Sequence, residues 1–355
     1  MLPMLPQPFY ADDAVTLFHG DCLDVLRTLP DNSVDSVVTD PPYGLGFMGK
    51  AWDDLPPGLP WARECLRVLK PGGHMLAFGG TRTSHRLACA VEDAGFEIRD
   101  SIAWLYGSGF PKHRAALKPA FEPIVMARKP FGTSLEVNEA KYGTGALNID
   151  GCRTDTHSGG PGTTPKSSVD GRRESMAGAM DRTDYDGSKG RWPANVVLDG
   201  SQADALDAQS GTSASKPEKV GRRGGTNAAP MSWDESNGDL EGRWPADPGG
   251  GASRFFPTFR YEAKAPTTER PRHGDTAHPT VKPLDLMRWL VRLVTPRGGT
   301  VLDMFAGSGT TGEACILEGF KCIAIEREAD YLPLIVQRIS KPLQVGLDLN
   351  FGETA

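Results

Sequence analysis

The chain contains no run of about 18 apolar residues, which excludes an expected membrane-spanning helix. Its first residues, Met1-Leu2-Pro3-Met4-Leu5-Pro6, lack both a basic stretch and a continuous apolar core. A secretion signal is therefore not expected, and the reading is a cytoplasmic protein without a membrane partner. The six cysteines, Cys22, Cys65, Cys89, Cys152, Cys315 and Cys322, include no CxxC pair, and the seven histidines do not cluster beside them. That spacing argues against structural zinc and a disulfide framework, leaving reduced thiols and no expected metal. A formal net charge of −6 excludes a chain that coats nucleic acid through bulk charge, although a local basic cleft stays compatible with it.

What is present is ordinary in hydrophobic content, 39%, and rich in glycine and proline, with 42 and 29 residues among 355. This length suits one large α/β domain with a second lobe of roughly 100 to 150 residues. Apolar runs at 15–21, 34–38, 74–78, 98–106 and 123–127 read as strands, with helices at 22–28, 61–69 and 84–94. The turn Lys70-Pro71-Gly72-Gly73 leads into the strand at His74. After Pro130 the pattern is lost: residues 131–275 hold 22 of the 42 glycines. They read as a partly disordered, Gly-rich insertion with ordered islands at 146–149, 192–198 and 255–259. Helix and strand signals resume at 284–294, 300–303, up to about 318, 321–325 and up to 339. Alternating strands and helices predict a doubly wound, mostly parallel sheet of Rossmann-like type. The organisation is 10–130, an insertion over 131–275, a second half over 276–341, and a tail over 342–355 that carries no readable signal.

Two stretches carry chemistry. Thr39-Asp40-Pro41-Pro42-Tyr43-Gly44 follows a buried strand, so its side chains are delivered at the sheet edge where α/β ligands bind. The Asp40 carboxylate and the Pro41 carbonyl can each accept from an exocyclic NH2 group and free its lone pair for attack. Pro41 and Pro42 stiffen the turn, and Tyr43 offers a ring for stacking. A strand end stopped by prolines, with a surface tyrosine, is the bland alternative for such a tetrapeptide alone.

The second stretch, Gly307-Ser308-Gly309-Thr310-Thr311-Gly312, lies between a strand and a helix, and Glu326 closes the next strand 19 residues after Gly307. Glycines allow close backbone approach, the helix N-terminus attracts electronegative groups, and a carboxylate there accepts from ribose hydroxyls. This points to an adenosine-type cofactor. Counting from Gly307, 49 residues remain, too few for the second half of a dinucleotide fold. No Lys-Ser or Lys-Thr follows the glycines, which excludes a phosphate-binding P-loop. Gly44-Leu45-Gly46-Phe47-Met48-Gly49 also matches GxGxxG but has no helix behind it, and reads as an active-site loop.

Asp-Pro-Pro-Tyr-Gly, Phe305-Ala306-Gly307-Ser308-Gly309 and His278-Pro279-Thr280-Val281-Lys282-Pro283 together resemble the DNA amino-methyltransferases that use S-adenosyl-L-methionine. The catalytic motif precedes the variable region and the cofactor loop, as in the permuted β group of that family. The resemblance covers about 16–130 and 261–339 and implies that the intervening segment is the target-recognition region. It implies catalytic roles for Asp40, Pro41, Pro42 and Tyr43. Asp303, Phe305, Ala306, Gly307, Gly309 and Thr310 would line the cofactor. Glu326 would hold its ribose and Asp21 meet its adenine, with Thr280 and Lys282 closing over its methionine part. Double-stranded DNA is the implied partner, with a cognate restriction endonuclease and a homodimer as further implied partners.

Trp52 and Asp53 are candidates to touch a flipped base or to anchor their loop, Phe110 is a candidate pocket residue, and His113 is left open. Arg172-Arg173 and Arg222-Arg223 read as solvated loop arginines rather than phosphate ligands. The implied reaction is direct methyl displacement onto N6 of a flipped adenine, with N4 of cytosine as the alternative. Methylation at cytosine C5 needs a thiolate, and no cysteine here follows a proline in a matching motif. A nicotinamide oxidoreductase and a non-catalytic DNA-binding protein are the rivals from other classes, and an RNA or protein methyltransferase is the nearest rival enzyme.

Overall fold

The computed structural model describes residues 6–46, 58–107, 109, 111, 114–154, 190–212, 249–259, 272–274 and 276–341. The chain starts with β1 (Tyr10–Ala11), β2 (Val15–His19) and α1 (Cys22–Leu26), followed by β3 (Val34–Thr39), whose six residues are all buried. Such a strand is covered on both faces, as a central strand of a parallel sheet must be. Helix α2 (Leu59–Val68) begins with Pro60 in its first turn and buries Trp61, Ala62, Cys65 and Val68 along one stripe. Next come β4 (Leu69–Phe78), α3 (Ser84–Asp93), β5 (Glu97–Leu105) and β6 (Phe121–Arg128). Where the sequence suggested a turn at 70–73, the strand already starts at Leu69. It pairs with β3 through a register shift between Val34 and Ser36 that absorbs the extra residues. Buried Asp35 fastens this irregular stretch, accepting from Lys70 Nζ at 2.6 Å and from the Thr300 amide at 2.8 Å.

Within 131–275 the structure has more helix than the sequence pattern predicts: α4 (Leu135–Tyr142) and, after β7 (Val196–Asp199), α5 (Gly200–Ser210). Neither carries an apolar stripe, since α4 buries only Asn138 and α5 only Ala203. They are defined by their caps instead: Ser134 accepts from the Val137 amide at 3.4 Å and Asp199 from the Gln202 amide at 2.8 Å. A single bridge joins Thr154 to Arg191, with N–H···O distances of 3.1 and 2.8 Å in the two directions. Strand β8 (Thr258–Phe259) follows, then a short hairpin of β9 (Arg272–His273) and β10 (Thr276–Ala277). The last part comprises α6 (Leu284–Val294), β11 (Thr300–Asp303), α7 (Thr310–Glu318), β12 (Lys321–Glu326) and α8 (Leu332–Ile339).

Ten strands form one sheet in the order β1-β2-β12-β11-β3-β4-β6-β5-β7-β8. Pairing is antiparallel at β1–β2, β4–β6 and β5–β6 and parallel elsewhere, in line with the mostly parallel sheet expected. Alternate residues feed two cores. Leu76 and Phe78 join the layer under α6, α7 and α8, while Met75 and Ala77 join the layer under α1, α2 and α3. The decisive topological fact is the direction of travel. From β3 the chain moves through α2 to β4 on one side, and from β11 through α7 to β12 on the other. The two crossovers diverge between β3 and β11, which are paired, so a crevice opens at the carboxyl ends of these two strands. Strands β7 and β8, from inside the Gly-rich segment, continue the same sheet beyond β5.

Asp199 is 1% exposed and joins three parts of this edge. It caps α5, accepts from Ser201 Oγ at 2.7 Å, and accepts from the Gly107 amide at 2.8 Å beyond the end of β5. Asp199→Ala removes a cap and takes the acceptor from the half-buried Gly107 N–H, so it should destabilise the protein by about 2 kcal/mol. A urea midpoint equal to that of the wild type would contradict this.

Candidate active site

A cleft of about 800 Å³ opens at the β3/β11 switch point. Asp40–Tyr43, beyond β3, form one wall, and Phe305–Ser308, beyond β11, form the other. The two strand ends are tied directly: Thr39 Oγ1 donates to Asp303 Oδ1 at 2.8 Å, and the Phe305 amide donates to the same oxygen at 3.2 Å. Asp303 is 3% exposed, and burial, opposed by these hydrogen bonds, raises its carboxyl to about 6. It lines the cleft at the first turn of the loop.

On the glycine side, Gly307 and Gly309 have φ of +54° and +77°, a region that favours residues without a Cβ. A Cβ at Gly307 would stand 3.0 Å from His278 Nε2, and one at Gly309 would stand 3.0 Å from Ile335 Cγ2. Glu326, at the end of β12, accepts from the Gly307 amide at 2.7 Å and from the Glu328 amide at 2.8 Å. Burial raises its carboxyl to about 7 despite those bonds. Behind the loop lies Arg338 of α8, 1% exposed, which sequence reasoning missed. Its Nη1 donates to Thr310 Oγ1 at 2.9 Å and to Ser308 Oγ at 3.2 Å, and its Nε pairs with Glu313. A lone arginine in the last turn of an apolar helix reads as a surface charge, so nothing in the sequence marked it. Phe305 meets the edge of Trp61 with ring centres 6.0 Å apart, and Ala306 is buried beside it. Asp21 is exposed at the cleft rim, where it caps α1 by accepting from the Leu23 amide at 2.9 Å.

The wall formed by Asp40–Tyr43 is built around a lysine. Lys282 Nζ lies 2.7 Å from Asp40 Oδ2, 3.3 Å from Glu122 Oε2 and 3.2 Å from the Tyr43 hydroxyl. It sits over the Phe78 ring, 4.6 Å from its centre. Burial would lower the ammonium's pKa, but Asp40 and Glu122 outweigh it and raise the value. Tyr43 donates to Asp40 Oδ1 at 2.9 Å and lies 3.4 Å from Glu122 Oε2. Burial first, then these carboxylates, push its phenol well above the usual value. Pro41 is buried and Pro42 half-buried beside them.

The resemblance implied that Thr280 and Lys282 close over the cofactor, and both line the cleft. The Lys282 ammonium lies on the Asp40 side. From the same segment it is His278 that approaches the glycine loop, held by contact of Nδ1 with the Thr280 carbonyl and by the Tyr331 ring 4.6 Å away. Glu122, Trp104, Tyr106 and Phe121, from β5, β6 and just beyond, also line the cleft and were missed from sequence. The Trp104 and Tyr106 rings are 5.2 Å apart, and this aromatic spacing at a strand end was the available signal. Trp52, Asp53, Phe110 and His113 lie outside the described residues. Cys22 lines the cleft as a thiol, pushed up to about 12 chiefly by burial, which does not suit a nucleophilic thiolate. Among the described residues no cluster of three or more His, Cys, Asp or Glu could hold a metal, and no helix is long and apolar enough to cross a membrane.

The family profile described as DNA methylase, for N6 and N4 methylation, matches residues 34–337. The DNA adenine methyltransferase YhdJ of Escherichia coli is 26% identical over 93% of this chain and 84% of its own length. The type II methyltransferase M.HpaI of Haemophilus parainfluenzae is 33% identical, over 32% of this chain and 38% of its own length. Among solved structures, the cytosine-N4-specific PvuII DNA methyltransferase matches over 96% of this chain and 92% of its own, with a TM-score of 0.53 and 17% identity, a likeness of fold. With the Asp40–Tyr43 turn and the glycine loop meeting at one switch point and the family profile spanning both, the chain belongs to the S-adenosylmethionine-dependent DNA methyltransferases that act on adenine N6 or cytosine N4.

Proposed function

We propose that this enzyme methylates N6 of adenine in double-stranded DNA at a specific sequence. The observation that carries the site assignment is the placement of the Asp40 carboxylate beside the glycine loop, across paired strand ends. Adenine is favoured over cytosine by Asp, rather than Ser, at the first position of the catalytic turn. The E. coli relative, similar along 93% of this chain, is also named an adenine methyltransferase.

The cleft suits the methyl donor. Gly307 and Gly309 take the positive φ that turns the loop along the cleft, the N-terminus of α7 follows directly, and Glu326 presents a carboxylate where ribose hydroxyls can donate. Bound S-adenosylmethionine supplies an electrophilic methyl group. Phe305, Ala306 and Thr310 shape the floor, Asp21 meets the adenine end at the rim, and Thr280 closes the opposite side. A target adenine flips out of the duplex, at a cost of a few kcal/mol, and enters on the Tyr43 side. Asp40 and the Pro41 carbonyl accept from its amine and direct the nitrogen lone pair across the cleft. Positioning and electrostatics account for most of the acceleration. Trp104, Tyr106 and Phe121 provide apolar faces for the base. Target recognition falls to residues 131–275, a reading supported by β7 and β8 adjoining the β5 edge that bears Trp104. A cognate endonuclease belongs to the same proposal, because one relative is named a type II methyltransferase.

Asp40→Ala should reduce methyl transfer by at least about a hundredfold while leaving S-adenosylmethionine affinity unchanged; labelled-methyl incorporation and calorimetry measure the two. Gly307→Asp adds bulk and charge at a φ of +54° and should abolish cofactor binding, with unchanged affinity contradicting the loop's role. Burial holds the Glu326 carboxyl near 7, above its value of about 4.5 in an unfolded chain, so between these values the folded protein retains a proton that the unfolded chain has lost. Ribose hydroxyls favour the ionised form. Cofactor affinity should therefore rise from about pH 6 to about pH 8, with proton release detectable by calorimetry in buffers of different ionisation enthalpy, and Glu326→Gln should flatten the dependence. Sequencing host DNA after expression, by a modification-sensitive method, identifies the base: N4-methylcytosine in place of N6-methyladenine would overturn the adenine assignment.

A further inference from the structure

Both oxygens of Asp40 are already engaged. Oδ2 faces the Lys282 ammonium at 2.7 Å and Oδ1 accepts from the Tyr43 hydroxyl at 2.9 Å. An ammonium in that position weakens the carboxylate as an acceptor and places positive charge beside a nitrogen that becomes positive as it takes the methyl group. The same two donors face a second carboxylate, Glu122 on β6, at 3.3 Å from Lys282 Nζ and 3.4 Å from the Tyr43 hydroxyl. Lysine is a point charge on a flexible four-carbon stem, and its hydrogens can be re-aimed without moving the backbone. Glu122 is partly exposed in the cleft, with 23% of its side-chain surface accessible, and is fixed on a strand in the middle of the sheet.

We propose that Glu122 is a positioning residue for methyl transfer: it is the alternative seat of the Lys282 ammonium, drawing that charge off Asp40 so that Asp40 can accept from the target amine. The inference rests on the assignment of Asp40 as the amine acceptor. Two carboxylates around one ammonium keep a net negative charge where positive charge develops. Neutralising Glu122 leaves the lysine with a single counter-charge, Asp40, and so locks the acceptor in an ion pair. The loss then comes from where Lys282 sits, which separates this role from a structural one.

The test uses the full-length enzyme, unmethylated genomic DNA and labelled S-adenosylmethionine under single-turnover conditions. Glu122→Gln should slow transfer about tenfold or more with unchanged cofactor affinity. Combining it with Lys282→Met should restore much of the lost rate, because the competing ammonium is gone. Glu122→Asp, which keeps the charge, should stay faster than Glu122→Gln even where both variants are less stable. A Glu122→Gln rate within about twofold of wild type, or a double variant no faster than Glu122→Gln, overturns the proposal. Asp40→Ala keeps the two levels apart. If it retains activity, the reading of the site fails, whereas an inactive Asp40→Ala beside a fully active Glu122→Gln defeats only the role of Glu122.

Discussion

The hydrogen bond from Thr39 to Asp303 joins two points 264 residues apart in the chain, and the shape of the cleft depends on it. Thr39 immediately precedes the Asp40–Tyr43 turn and Asp303 closes the strand before the glycine loop. Between them the chain leaves the sheet, builds its other edge and returns. Parallel pairing of β3 with β11 brings the two ends to the same side, and the side-chain bond fixes their separation in a dry setting where an unpaired carboxylate would be costly. Neither half contains a complete site.

How much of this could be read from sequence follows from which forces leave a periodic trace. Strand β3, helix α6 and strand β11 bury continuous or striped apolar faces, and they fall where apolar periodicity puts them. Helices α4 and α5 have no such stripe and rest on caps and on contacts from distant segments, so periodicity passes over them. The same division holds at the site. Asp40, Gly307 and Glu326 are legible because local backbone demands fix their neighbours in sequence. Glu122 and Arg338 matter only through partners far away in the chain, Lys282 for one and Ser308 with Thr310 for the other. No local pattern encodes such a meeting.

The cleft has two electrostatic characters. The Glu326 side is a buried carboxylate that holds its proton up to about 7 and already accepts two backbone amides. Across the cleft, Asp40, Glu122, Lys282 and the Tyr43 hydroxyl share a single cluster in which two carboxylates face one ammonium. On that side two carboxylates share one ammonium, so the charge can shift from one to the other without being stranded.

The bridge between Thr154 and Arg191 has a consequence for the length of chain that runs between them. It pinches together the entry and exit of the chain between those residues, so that whatever length runs from one to the other begins and ends at a closed neck. Loop-closure entropy grows only slowly with length, by about 0.6 kcal/mol per doubling. A segment held at such a neck can lengthen, shorten or be exchanged while the sheet and its crevice keep their geometry. The neck acts as a socket: the chain it closes off costs little more to hold as it grows.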